Sequence, residues 1–200
     1  MGQVIILNKV RCSFPQLFKL KGEDGEEYGP GITILLDPAK NTHELTAIKK
    51  AIKAEIAGNS AISKQPPKGE KLCLRAGNRE EYPEGSLMLK ANSSKQRPLV
   101  LNKDKSKMEA GENKIYSGCY VNIKVDIWGQ NDPKFGKRIN AKLVAVQFAA
   151  DGPSMDGSFV SEETAAEGFG ALEDDGLEGL GESPAGTGLE TETESDGFLD

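Results

Sequence analysis

The chain of 200 residues has one histidine, His43, three cysteines, Cys12, Cys73 and Cys119, and 31 acids. An enzyme of this length would have to work with these side chains. A Ser-His-Asp or Cys-His nucleophile would need His43. That residue stands in the first turn of a helical pattern and reads as a surface residue beside the cap. Zinc asks for about four Cys or His ligands at local spacing. The cysteines lie far apart and form no C-x-x-C pair, so no metal or cofactor is expected and the thiols read as small buried hydrophobes. No G-x-x-x-x-G-K-[ST] loop is present to cradle a phosphate. Asp37, Asp126 and Asp132 are the carboxylates a magnesium-dependent nuclease or resolvase would use. Turn chemistry accounts for Asp37 and Asp132 without a metal. The expectation is no catalytic residue, with the nuclease kept as the alternative.

The segment "YVNIKVDIW" carries a different chemistry. Val121, Ile123, Val125 and Ile127 alternate toward one face, which must be the core. Tyr120, Asn122, Lys124, Asp126 and Trp128 take the other. Aromatic planes beside cations are what a single-stranded nucleic acid requires, the rings to stack on bases and the charges to follow phosphates. Phe135, Lys137 and Arg138 follow in the next loop, and Lys142 lies in phase with Arg138. "LMLKANSS" adds Lys90 and Asn92, and the first strand leads to Arg11 and Lys19. These twelve residues, with the aspartate left out, form the candidate DNA-binding set. Phe14 and Phe18, around Pro15, read as core rather than as a stacking platform, which is the alternative for them.

Charge divides the chain. All 25 Lys and Arg precede residue 151, against 16 acids, a net of +9; the last fifty residues hold the other 15 acids and no base. A basic body for an anionic ligand and an acidic interaction tail are the reading. Residues 151–200 are Gly, Glu, Asp, Ser, Thr and Pro with isolated Phe and Leu, too little apolar surface to fold, so disorder is expected there. The start, "MGQVIILNKV", lacks a basic n-region and a long apolar run, and no stretch approaches the roughly 18 apolar residues of a membrane span. A cytoplasmic protein without membrane contact is expected.

The elements that must hold these residues are mostly short strands. In "QVIILNKVRC", Val4, Ile6, Asn8, Val10 and Cys12 alternate with Ile5, Leu7, Lys9 and Arg11, which reads as one apolar face and one that turns basic. "ITILLD" is a second strand. "NTHELTAIKKAIKAEIAG" is a helix, with Asn41 and Glu44 set as a capping box, Leu45, Ile48, Ile52 and Ile56 as its apolar stripe, and Gly58 to end it in the left-handed conformation. "KLCLRAG", "GSLMLKANS" and "RPLVLN" are short strands, and 115–129 and 137–149 are the two clearest. Five or more strands and one helix before residue 150 suit a mainly β, OB-fold-like five-stranded Greek-key barrel, with a β-sandwich as the alternative.

The chain resembles the bacteriophage single-stranded-DNA-binding proteins. The resemblance lies in "RCSFPQLF", "ILLDPAKNTHELTAIKKAI", "GSLMLKANSSKQRPLV" and above all "IYSGCYVNIKVDIWGQNDPKFGKRINAKLVAVQFAADG", followed by an acidic end that carries an aromatic residue. It implies an OB-fold body over 1–150 that coats single-stranded DNA in phage replication, recombination and repair. It also implies an acidic tail over 151–200 that recruits replication proteins such as a polymerase, helicase or primase. In this sequence Phe198, Leu199 and Asp200 would be the partner-binding end, although the aromatic is two places from the terminus. Weak self-association fits such a coat. The acids and Phe198 could also stand in for phosphates and bases in the protein's own groove. An adaptor whose basic body binds an acidic protein is a third class.

Overall fold

Strand β1, Gln3–Gln16, opens the fold. The computed structural model describes residues 2–18, 29–79, 82–93 and 96–155. β2 is Gly31–Leu36, β3 Leu74–Ala76, β4 Leu87–Asn92, β5 Leu99–Leu101, β6 Tyr120–Asp132 and β7 Gly136–Ala150; helix α1 is Thr42–Gly58, followed by the single-turn α2, Ser60–Ser63. The seven strands run in the order β3-β4-β2-β1-β6-β7-β5, and β4 also pairs with β7. That last pairing is parallel, Ala91 opposite Ala141 and Asn92 opposite Lys142. It joins the two ends of the arc β4-β2-β1-β6-β7, so five strands close into a barrel with the connectivity of the OB type. β3 and β5, three residues each, extend its flanks.

The alternation of β6 does what its sequence requires. Val121, Ile123, Val125 and Ile127 are all buried, and with Leu7, Val10, Ile34, Leu89, Ile139 and Leu143 they fill the barrel. β1 departs from the expected alternation. Val4 and Ile6 are 56% and 58% exposed while Leu7 is fully buried. The register with β6 shifts between Leu7 and Val10, and Lys9 has φ +48. A bulge inserts one residue and so exchanges the faces of everything before it. Val10 and Cys12 point inward as expected; Val4 and Ile6 point out, and the strand has no continuous apolar face.

α1 packs on β1 and β6 through Leu45, Ile48, Ala51 and Ile52. Its start is not the expected capping box. Asn41 makes no side-chain bond to the helix; its Oδ1 accepts from the backbone N–H of Asp37 at 2.9 Å. Nor does Gly58 end the helix in the left-handed region. The chain turns at Asn59 with φ −110, and the Asn59 side chain caps α2 by accepting from Ala61 N–H. After β7 the chain still touches the body. Arg11 donates to the Pro153 carbonyl at 3.0 Å, Tyr116 Oη donates to the Gly152 carbonyl at 2.8 Å, and Met155 N–H donates to the Ser117 carbonyl. The described residues lie within one compact unit, Met1–Ser161.

Candidate nucleic-acid interface

The β6–β7 hairpin is set by one carboxylate. Asp132 Oδ1 accepts from the backbone N–H groups of Lys134 at 2.8 Å and Phe135 at 2.9 Å. Those N–H groups, Phe135 first, hold the Asp132 carboxyl below its ordinary range. Gly136 takes φ +71 to complete the turn. Phe135 is left 52% exposed at the tip. Arg138 and Lys134 place their charges 5.7 and 5.4 Å from its ring centre.

Beyond the tip the hairpin forms one wall of a groove. Trp128 lies opposite Asn140 and Gln130 opposite Arg138; Asn140 Nδ2 donates to Gln130 Oε1 at 2.9 Å and holds the wall together. A cavity of about 560 Å³ is lined there by Trp128, Arg138, Lys142, Lys90, Arg75 and Lys71, with Asn92. A second, of about 680 Å³, shares Arg75, Lys90 and Asn92 with it and runs on to Arg79 across β2. A third, of about 640 Å³, shares Lys71 and adds Lys68 and Lys137. The shared residues make the three into one continuous path across the β2–β4–β7 arc. This is the strand 2–3 face on which OB barrels hold oligonucleotides.

Among the described residues eight cations line this path, against the single acid Glu70. None of the eight is among the ion pairs found within the described residues. Arg75 stands where the first two cavities meet, and its Nε is buried with no hydrogen-bond partner among the described residues. Cys73 also borders the groove; burial pushes its thiol up to about 11.

The twelve candidates read from the sequence separate by position. Trp128, Arg138, Lys142, Lys90 and Asn92 meet in the first cavity, Lys137 borders the third, and Phe135 sits at the hairpin tip. Tyr120, Asn122, Lys124 and Arg11 occupy other surroundings. Arg11 holds Pro153, and the Tyr120 ring lies against Gly152. Asn122 accepts from Lys9 N–H and donates to Gln147. Lys124 is exposed between Ile6 and Ala145. Tyr120 and Trp128 share a face of the pleat, but β6 is 13 residues long and strands twist, so its two ends look in different directions. Lys19 and the tail residues Phe198, Leu199 and Asp200 lie outside the described residues.

Lys68, Lys71, Arg75 and Arg79 were not legible as groove residues. "KLCLRAG" shows cations in a short strand. Its pairing with β4, Leu74 opposite Leu89 and Arg75 opposite Met88, and the bridge from Leu72 to Ile139 of β7 bring them to the groove.

The three carboxylates of the nuclease alternative are separately engaged or placed. Asp37 accepts from Ala39 N–H, Asp132 holds the hairpin, and Asp126 sits mid-strand opposite Val4 and Lys142. Among the described residues no three His, Cys, Asp or Glu side chains gather as metal ligands would.

Residues 3–177 match the family described as Enterobacter phage Enc34, ssDNA-binding protein. The chain is 36% identical over 171 residues to the putative protein p50 of Acyrthosiphon pisum secondary endosymbiont phage 1, covering 78% of this chain and 89% of that one. Among solved structures it is similar to the single-stranded DNA-binding protein from bacteriophage Enc34, with a TM-score of 0.66 and 28% identity over 82% of this chain and 90% of that one. It is equally similar to that protein in complex with ssDNA, with a TM-score of 0.66 and 30% identity over 76% and 88%.

Proposed function

The chain belongs to the Enterobacter phage Enc34 ssDNA-binding protein family, and we propose that it binds single-stranded DNA without regard to sequence along the groove bordered by Trp128. The family is one of binding proteins, and the chain is not an enzyme.

The observation that carries the proposal is the groove itself: eight cations free of ion pairs among the described residues and an aromatic ring in the wall. Phosphates meet the cations, and a base stacks on Trp128. Every base offers a π-face, so the site tolerates any sequence. Duplex DNA keeps its bases paired and offers only phosphates.

The tail acts in the same account. Its 15 acids and lack of any base make it an anion that competes for the groove and, once displaced by DNA, binds basic patches on replication proteins through Phe198, Leu199 and Asp200. Met155, the last described residue, packs with Leu35, Tyr82 and Met88, and the last two also line the groove. The acidic segment therefore begins beside the surface it would compete for. The roles that follow are phage replication, recombination and repair in the host cytoplasm.

Trp128 is the only tryptophan, so its emission reports on the groove directly. Oligo-dT and a mixed-sequence single strand should both quench it at low salt, and a blunt duplex of equal length should quench it far less. Unchanged emission and unchanged oligonucleotide anisotropy at low salt would remove the proposal.

A further inference from the structure

Phe14 follows a different rule from the core residue its sequence setting suggests. It lies in β1 where the register with β2 shifts between Ser13 and Gln16, and it is 43% exposed. Its φ is +48. A bulky side chain avoids this region, and a following proline penalises it further. The strained turn is held from beneath. Ser13 is buried, and its hydroxyl meets Tyr82 Oη at 3.2 Å and the Ser117 hydroxyl at 3.4 Å. Bulges of this kind re-aim a side chain, and strain of this kind persists at working sites. The re-aimed ring lines the cavity that Arg75, Lys90 and Asn92 share with the Trp128 end of the groove.

A cation already covers the ring. The Arg79 guanidinium carbon stands 4.0 Å from the Phe14 ring centre. Arg79 belongs to the loop joining β3 to β4, which is closed by Gly77 N–H on the Ser86 carbonyl and Tyr82 N–H on the Arg79 carbonyl. β2 lies between β1 and β4, so the contact arches over β2 at one end of the groove. The face a guanidinium occupies by a cation–π contact is the face a base would stack on.

We propose that Phe14 is a second base-stacking platform, at the opposite end of the groove from Trp128, and that Arg79 is its latch. An incoming base takes the ring face, and the displaced guanidinium pairs with a phosphate of the same strand. From β6 through β7, β4 and β2 to β1 the path follows the barrel wall, and the β1–β6 register, Gln3 beside Ile127 and Arg11 beside Tyr120, puts Phe14 toward the other end of β1 from Trp128. The two rings thus grip a strand at both ends while the cations between them follow its backbone. The inference rests on the single-strand reading.

The test is a salt titration of labelled oligo-dT binding with the full chain and three variants. Phe14→Leu, which keeps apolar bulk and loses the π-face, should weaken binding roughly 5- to 100-fold with an unchanged log–log salt slope. Phe14→Tyr should bind like the parent. Arg79→Ala should make the slope shallower by about 0.7, the loss of one phosphate contact. Parent-like binding by Phe14→Leu, equal losses in the Leu and Tyr variants, or an unchanged slope in Arg79→Ala would each overturn the proposal while the single-strand reading stood. Failure of the parent chain to bind would instead sink that reading. If Phe14→Leu does not fold, Phe14→Trp reads the same contact: oligo-dT should quench the added emission, and unquenched emission overturns the proposal.

Discussion

The carboxylate of Glu55, on α1, accepts a hydrogen bond from the backbone N–H of Gly129 at 2.9 Å, one residue beyond Trp128. The approach is close enough that a side chain at that position would force its neighbours to shift. A Cβ on Gly129 would lie 3.2 Å from Glu55 Oε1 and closer still to Ile62 Cδ1. The helix therefore fixes β6 at the point where Trp128 borders the groove.

That bond should be measurable. Glu55 is 9% exposed, and a hydrogen bond to a charged group is worth about 1.5–3 kcal/mol. Glu55→Ala should lose about that much in urea denaturation, and Glu55→Gln, which keeps an acceptor, should lose less. Equal losses would mean that the acceptor is irrelevant.

The groove separates lysines that the sequence treats alike. Lys142 lines the first cavity; Lys124 stands between Ile6 and Ala145, outside it. Lys142→Ala should make the salt slope of single-strand binding shallower by about 0.7, and Lys124→Ala should change it less. The reverse ranking would move the site to the Tyr120 end of β6.

Asp132 gives a pH dependence with a definite sign. Its folded value is lowered by the Phe135 and Lys134 N–H groups from an ordinary 3.8. Its support for the hairpin is complete above the ordinary value and is lost as pH falls through the lower folded one. The amide signals of Lys134 and Phe135 should stay constant from pH 7 to about 5 and shift only in the acid range. In Asp132→Ala they should already be displaced at pH 7.

The three thiols should be silent in the folded protein. Cys12, Cys73 and Cys119 are buried, and Cys12 Sγ lies 3.5 Å from Cys119 Sγ. The hydrogen bond shared with Cys119 and burial push the Cys12 thiol up, the same bond lowers Cys119, and burial puts Cys73 at about 11. Inaccessibility rather than ionisation therefore protects Cys119, which is fully buried, and an aromatic disulfide reagent at pH 8 should find no fast-reacting thiol before denaturation and three after it. Fast native reaction would place at least one cysteine at the surface.

Much of the body was legible in the sequence because strong alternation leaves one solution. Val121 to Ile127 could only face a core, and Leu45, Ile48 and Ile52 could only form a helix stripe. What was not legible depends on partners far along the chain. The bulge near Lys9 turns Val4 and Ile6 outward, and the Lys9 N–H donates to Asn122 Oδ1, far along the chain. Asn41 serves Asp37 rather than the helix. Phe14 looks like core until its backbone is seen to turn it out, and Arg75 looks like any strand cation until β3 pairs with β4. The Trp128 cluster could be read because its members neighbour one another in β6 and β7. The Arg75 and Arg79 half could not, since only barrel closure brings it alongside.

The most direct test is a salt titration of binding to labelled single-stranded and duplex oligonucleotides, with residues 1–200 and 1–161 side by side. The account predicts strong preference for single strands and a steep slope, about −0.7 per phosphate neutralised. It also predicts tighter binding by 1–161, most marked at low salt. Equal affinity for duplex and single strand in both proteins, or no single-strand binding at low salt, would contradict it.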